Sequence, residues 1–366
     1  MVQFDRNRME YFPLDTRYSK VEIEKAFVDP RNCEISLSSE EEEFISQLSS
    51  QLRRAKAEGA ARMCVFGAHT IKNGLGRLLG AFAERGWFTH LATNGAGVIH
   101  DWEFSFHGRS SEDVRANVSE GKFGTWQETG LYINLAIALG AYHGLGYGES
   151  VGKLIQDDGL MLPSREELEH TIADSSAPLS KRGAACDLLQ EQERLGLGSG
   201  LLEVKHLHKS FSVQAKCYEL GIPFTSHPMF GHDIIYTHKA CCGSAIGRTA
   251  EVDFLRFVDS VSHLEGGVYL SVGSAVMSPM IFEKSLSMAR NVALQEGKDI
   301  RNVDIHVVDL QEKTWDWEKG EPPMDNPAYY LRYMKTFSRM GCRVDYHSMD
   351  NRALLVALYR ELEGTI

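Results

Sequence analysis

The chain has no apolar run long enough to cross a bilayer. The longest, near Leu135–Tyr142 and Ala353–Leu358, fall far short of the roughly 20 residues a spanning helix needs. The amino terminus, MVQFDRNRMEYFPLD, has no apolar stretch behind its basic residues, which predicts no secretory signal. The cysteines (Cys33, Cys64, Cys186, Cys217, Cys241, Cys242 and Cys342) are odd in number, include no C-x-x-C pair and follow no framework spacing. That excludes a disulfide scaffold and predicts reduced thiols in a cytoplasmic protein. Basic charge is also scarce, with 39 Lys and Arg against 50 Asp and Glu, a net charge of −11. With no basic stripe interleaved with aromatics, a nucleic-acid partner is disfavoured. No solenoid repeat or low-complexity tract appears.

What remains is a chain of 366 residues, 43% hydrophobic and 24% charged, with ample apolar material for a large core. Met63–Phe66 reads as a short apolar strand ending at Gly67. A helix follows, with Ile71, Leu75, Leu78, Leu79 and Phe82 at 3.6-residue spacing, closed by Gly86. A second strand, Phe88–Thr93, runs into Asn94-Gly95-Ala96-Gly97. Strand, helix and strand in so few residues predict a βαβ unit with parallel strands. The pattern returns later: strands at Ile222–Thr225, Val268–Ser271 and Val303–Val308 alternate with helices at Phe211–Leu220, Val252–His263, after Pro279 and at Ala353–Leu362. The expected fold is α/β, a doubly wound, mostly parallel, Rossmann-like sheet with helices on both faces. Residues 1–55 read as an N-terminal helical extension. Residues 56–366 read as one dinucleotide-binding-type domain carrying a mainly helical insertion at about 102–200. Ser38 before Glu40–Glu43, and Ser164 before Glu166-Glu167, read as helix starts.

Ligands of open parallel sheets bind beyond the carboxyl ends of the strands. Three loops rich in small residues fit that position: Gly67–Gly74, with His69 and Asn73, Thr93–Asp101 and Ser271–Pro279. Small residues let backbone N–H groups approach a phosphate at a helix start. None of the three is a G-x-G-x-x-G fingerprint, and a plain tight turn explains Asn94–Gly97 equally well. His227, His232 and His238 cluster in sequence around Asp233, and His69, His100 and His107 lie on loops that could share their edge. No metal-binding spacing such as H-E-x-x-H supports a site, so no metal is expected. His100 and His232 are the candidates for proton transfer, because an unperturbed imidazole titrates near ~6.5. Trp315 and Trp317 flank Asp316 and could line a cation-binding wall or cover a subunit interface. Gly146–Lys153 superficially suggests a phosphate loop, but its spacing is wrong and Leu154 takes the Ser/Thr position.

The run CVFGAHTIKNGLGRLLGAFAERGWFTHLATNGAGVIHD resembles a deoxyhypusine synthase segment in which an F-x-G strand end and an I-x-x-G loop precede a helix, and the next strand ends in T-T-A-G-G-V-E-E-D. GIPFTSHPMFGHDIIYTH is similar to that family's G-D-M-I-F-F-H region, and LEGGVYLSVGSAVMSP to its glycine-rich G-G-G turn. The likeness covers roughly residues 60–360. It implies a homotetramer that binds NAD, takes a hydride from a polyamine-like amine, holds the alkylamine as a lysine imine and passes it to an acceptor protein's lysine. By position it assigns Thr93, Asn94, Gly95, Ala96 and the neighbouring Gly97 to NAD, with Ser271, Gly273 and Ser274 on the second turn. It assigns Asp233 to the substrate ammonium and matches Asp101 to the family's final acid, a further candidate substrate contact; Trp317, from the polar stretch around Asp316, is another. There are departures. Ile99 and His100 replace two glutamates, Ser278 replaces a histidine, and the lysine-bearing segment has only Asp325-Asn326-Pro327 with Lys335 as its nearest match. A lysine serves as an imine nucleophile when its pKa is lowered, and Lys335 is the candidate. The expectation is an NAD-dependent enzyme acting on an amine, with alternatives of a non-catalytic NAD-binding module or a metal-assisted hydrolase using the histidines.

Overall fold

Six short runs form one parallel sheet in the computed structural model, which describes residues 3–364. They are β1 (Arg62–Phe66), β2 (His90–Thr93), β3 (Phe224–Ser226), β4 (Val268–Val272), β5 (Asp304–Asp309) and β6 (Arg343–Ser348). Their spatial order is β6-β5-β4-β1-β2-β3, and every neighbouring pair is parallel. This is the strand order of a Rossmann-like, doubly wound sheet. Strands β1 and β4 are buried along their whole length, which is why they read as continuous apolar runs rather than alternating ones.

Alternation along the strands separates two faces. On one, Met63, Val65, Tyr269, Ile305 and Val307 join Phe282, Leu286, Met334 and Phe337 in a single core cluster. Phe282 lies on helix α3, Met277–Gln295. On the other face His306 meets Phe44 (ring centroids 5.5 Å apart) and Gln51 (2.6 Å) of helix α1, Ser39–Ala57. Phe82 of helix α2 (Gly76–Glu84) meets Tyr359 of helix α4 (Asn351–Glu363) edge-on, centroids 5.3 Å apart. Each such fully buried aromatic or aliphatic side chain stabilises by on the order of 1.5–3 kcal/mol. Helix α1 starts where Ser38 marks a helix start in the sequence, and it does so with a complete Ser38–Glu41 capping box.

The chain divides into two compact units. The sheet unit comprises Phe27–Gly97, Leu220–His227 and the residues from Phe254 onward. The other takes the residues up to Ala26, Val98–Glu219 and Pro228–Asp253. It is mainly helical, with long helices at Gln127–His143 and Leu179–Leu195 and two small antiparallel pairs, Ser19–Glu22 with Arg109–Glu112 and Gly159–Leu162 with Gly200–Glu203. The 1–55 stretch therefore does not stay together. Its first part pairs with Arg109–Glu112, whereas Ser39–Ala57 covers the sheet. The helical segment read as an insertion from about 102 to 200 extends to Glu219 and recruits Pro228–Asp253. Among the described residues no helix is long and apolar enough to cross a membrane.

Candidate functional site

Strands β1 and β4 are neighbours, yet the chain continues from them toward opposite ends of the sheet. This is the topological switch point, where open α/β sheets bind their ligands. Two loops meet there. The Gly67 N–H donates to the Val272 carbonyl at 2.9 Å, and the Gly273 N–H donates to the Val308 carbonyl at 2.8 Å. A Cβ on Gly67 would lie 2.0 Å from the Gly273 carbonyl oxygen, so only glycine lets the two backbones come this close. Gly273 adopts φ +57°, a left-handed conformation that glycine takes without strain.

The loop after β2 is tied to the same edge. The Thr93 hydroxyl donates to the Phe66 carbonyl at 2.9 Å, and the Asn94 side chain accepts the Gly97 N–H at 2.9 Å. Asn94 thereby caps helix Gly95–His107. A Cβ on Gly97 would meet the Thr93 hydroxyl oxygen at 2.2 Å. The N–H groups of Gly95 and Ala96 at that helix start, and of Ser274 and Ala275 in the turn before α3, have no acceptor among the described residues; unpaired amides at a helix start suit phosphate oxygens. Thr93, Asn94, Gly95, Ala96, Gly97, Gly273 and Ser274 are thus gathered at one edge. Ser271 is turned inward. It is fully buried, and its hydroxyl donates to Ser278 at 2.8 Å, which also bonds Tyr269 at 2.9 Å, so it holds the end of β4. Asn73 donates to Asn351 at 3.0 Å and fixes the start of α4. His69 is exposed.

In the helical unit, Asp101 is tied into the fold. Its carboxylate accepts from the Ser212 hydroxyl (2.5 Å), the Gln214 side chain (2.9 Å) and the Val213 N–H (3.1 Å), capping helix Val213–Leu220. Burial raises its pKa against those hydrogen bonds. His100 is likewise engaged: its Nδ1 lies 2.7 Å from the Ser110 hydroxyl, which donates to Glu103 at 2.6 Å.

Asp233 is different. One of its carboxylate oxygens is buried without a hydrogen-bond partner, as are the hydroxyls of Tyr147 and Tyr236. Burial pushes the Asp233 pKa up to about 6, opposed by Tyr236 and by the charge of neighbouring His232. Tyr147 is fully buried and its pKa is raised by burial first, then by Asp233 and Tyr236, which groups these side chains. His232 is exposed. Tyr147 lies in the Gly146–Lys153 run, and no spacing in the sequence links it to Asp233.

A carboxyl group whose folded pKa exceeds its ordinary value favours the folded state below pH 3.8, and that contribution is lost as pH rises through about 6. Asp233→Asn is therefore expected to stabilise the protein by about 2–3 kcal/mol near pH ~8. The gain should shrink as pH falls from 6 toward 3.8. Urea unfolding at several pH values checks this, and a destabilised Asn variant at alkaline pH would mean that the carboxylate is matched by an unseen partner.

Lys335 and Trp317 belong to the sheet unit. The Lys335 ammonium lies 2.9 Å from Glu321 and 3.2 Å from the Tyr329 ring centroid. Burial works against its charge, but Tyr329 and Glu321 outweigh it and raise the pKa, the reverse of what an imine-forming amine needs. Trp317 packs into the core and lines no cation wall. His227 is held by Thr225 at 3.0 Å, and burial drives its pKa down to about 3. His238, whose pKa burial lowers to about 4, meets the Tyr11 ring at a tilt, centroids 4.3 Å apart. Both nitrogens of His107 are buried without partners, and burial lowers its pKa to about 4. Among the described residues no group of three or more His, Cys, Asp or Glu is placed to hold a metal.

No family model and no curated protein matches the chain. Among solved structures it is similar to a conserved protein described as LOR/SDH from Methanococcus maripaludis S2, with 14% identity and a TM-score of 0.46 over 92% of this chain and 74% of that one. It is also similar to AgrE in a ternary complex with ornithine and NAD+, with 12% identity and a TM-score of 0.43 over 90% of this chain and 34% of that one. ArgZ, an arginine dihydrolase of the ornithine-ammonia cycle in cyanobacteria, aligns with 13% identity and a TM-score of 0.41 over 90% of this chain and 33% of that one. The chain spans about a third of the length of AgrE and ArgZ. The α/β, Rossmann-like assignment comes from the strand order itself.

Proposed function

We propose that this chain is an NAD-dependent enzyme acting on a small amine. The observation that carries the reading is the switch point between β1 and β4, closed by Gly67 against Gly273 and flanked by the Asn94-capped helix start. These features suit a dinucleotide: close-approaching backbone, unused amides at helix starts, and strand ends fixed by side-chain hydrogen bonds. The residues differ from the usual fingerprint in having no G-x-G-x-x-G after β1 and no acidic residue closing β2. When bound, NAD supplies a hydride acceptor.

The chain's own residues would act as follows. Thr93 and Asn94 hold the turn after β2, and the Tyr269–Ser278–Ser271 chain holds the end of β4. Asp233, once ionised, is suited to balance an ammonium through a charge-assisted hydrogen bond, with the Tyr147 and Tyr236 hydroxyls beside it. His232, exposed next to Asp233, is the candidate to exchange the proton. Amine affinity is then expected to rise with pH through about 6, as Asp233 ionises. The resemblance to deoxyhypusine synthase would add transfer of an alkylamine to a protein lysine by a homotetramer. Lys335, held protonated by Glu321, leaves the imine step outside this reading.

Calorimetric titration with NAD, repeated with spermidine and with the Asp233→Asn variant, tests it. Saturable NAD binding, strengthened by spermidine in the wild type but not in the variant, with NADH formed on turnover, is the supporting result. NAD binding with no turnover of any amine would point to a non-catalytic NAD-binding module. Absence of NAD binding would overturn the reading.

A further inference from the structure

A second concave site lies on the outside of the sheet unit, along α2. Arg77, Ala81 and Arg85 recur at four-residue spacing and form one stripe of that helix. They face a cleft of about 410 Å³ that is also lined by Phe27, Arg31 and Tyr359. That volume falls within the range of small-molecule sites, roughly 300–1,000 Å³, and is large for a lone inorganic anion.

The charge of the cleft runs against that of the whole protein. Three arginines line it against a single aspartate, Asp29, in a chain of net charge −11. Asp29 and Arg31 form a two-point ion pair, Nε to Oδ1 at 3.1 Å and Nη2 to Oδ2 at 3.2 Å, with the Arg31 backbone N–H adding a bond of 3.0 Å. The pair is therefore close to neutral, and the excess charge comes from the other two arginines. Arg85 faces Glu363 at 3.5 Å. Arg77 has no ion-pair partner among the described residues. Its guanidinium lies over the Phe27 ring, 5.3 Å from the centroid, which orders the plane while leaving its N–H edge open.

The rim is built rather than loose. Arg360 donates to the Pro30 carbonyl at 2.7 Å and to the Cys33 carbonyl at 2.6 Å, and the Val28 N–H donates to the Gly74 carbonyl at 3.3 Å. The loop carrying Phe27, Asp29 and Arg31 is thus tied to α4 at one end and to the start of α2 at the other. A preformed site loses less ordering entropy on binding.

We propose that this cleft binds a small organic anion, a phosphate attached to a flat, partly apolar ring, in the manner of a nucleoside monophosphate. The phosphate would lie among Arg31, Arg77 and Arg85, and the ring against Phe27 and Tyr359. Planar guanidinium groups match phosphate oxygens in bidentate geometry, and aromatic rings supply the stacking surface. The site is separate from the switch point, and its occupancy does not depend on NAD binding there.

AMP titrated calorimetrically into the full chain tests this, with adenosine and inorganic phosphate as separate probes. The expected result is saturable AMP binding, with either fragment at least tenfold weaker. Arg77→Gln should weaken AMP at least tenfold and Arg77→Lys less, both with an unchanged urea midpoint. NAD affinity should be unaltered by either. No saturable binding at millimolar AMP would overturn the proposal. So would AMP binding that survives Arg77→Gln but is lost in Gly67→Val, because AMP would then occupy the switch point. Phosphate binding as tightly as AMP would remove the ring from the site. Failure of NAD to bind would leave this inference standing while overturning the proposed enzyme.

Discussion

Gly67→Val is expected to lower NAD affinity at least tenfold and to destabilise the sheet unit by about 1–3 kcal/mol, the usual range for overpacking a close contact. The new Cβ would lie 2.0 Å from the Gly273 carbonyl oxygen and 3.0 Å from its carbonyl carbon. Both obstructing atoms are backbone, so no rotamer change relieves the clash and one loop must move by more than an ångström. Movement is resisted because Gly67 is bonded to Val272 and Gly273 to Val308. The strand ends that shape the switch point would separate together. Gly273→Ala is the informative contrast. Its Cβ would meet nothing within 4 Å, but φ there is +57°, so the cost is conformational, about 1–2 kcal/mol. NAD calorimetry and urea unfolding of the two variants separate shape from strain. Unchanged NAD affinity in Gly67→Val would show that the cofactor does not bind at the switch point.

The edge that this variant probes is legible in the sequence because buried parallel strands announce themselves. Every residue of Arg62–Phe66 and Val268–Val272 is buried, so each appears as an unbroken run followed by small residues. Strand β6 leaves no such signature, for the opposite reason. It lies at the sheet edge, and only Tyr346 of its six residues is buried, which leaves a polar segment without a core signature. Helix Gly243–Ser262 begins nine residues before the Val252 start its apolar spacing suggested. Gly243 and Gly247 in its first turns hide the periodicity, and their neighbours supply the helix. Site residues were legible only where chemistry is local. Asn94 caps a helix three residues on, and a turn can be read from its sequence. Asp101 reads as a loop acid, but its partners Ser212 and Gln214 lie more than a hundred positions away. Trp317 reads as a polar-loop tryptophan and is core, since burial is a property of the fold rather than of the neighbouring letters.

Arg17→Met is expected to destabilise the helical unit by about 3–5 kcal/mol, the range for breaking one half of a buried ion pair. The Arg17 guanidinium meets Glu103 through two parallel hydrogen bonds of 2.7 and 2.8 Å, and the two side chains are 1% and 2% exposed. Thr129 at 3.0 Å and Ser110 at 2.6 Å complete the Glu103 carboxylate. His100 bonds Ser110 from behind at 2.7 Å, so in this unit it positions a hydroxyl rather than presenting a free base. Without Arg17 the carboxylate keeps its burial and loses the charge that compensates it. Burial alone would raise the Glu103 pKa. Arg17 above all, with His100 and Ser110, reverses that and lowers it. The sign for stability follows. A lowered carboxyl pKa contributes above its ordinary value of 4.5 and is lost as pH falls through the folded value. In Arg17→Met that acid-side loss should disappear or reverse, because the favoured form of Glu103 becomes the protonated one. Arg17→Met combined with Glu103→Leu removes both charges, and it should recover much of the single-variant loss, since contacting pairs are not additive. Urea unfolding of the two single variants and the double variant across pH measures the coupling directly. A double variant as unstable as the sum of the singles would show that the two residues act through packing, and that the ion pair does not set the stability of this unit.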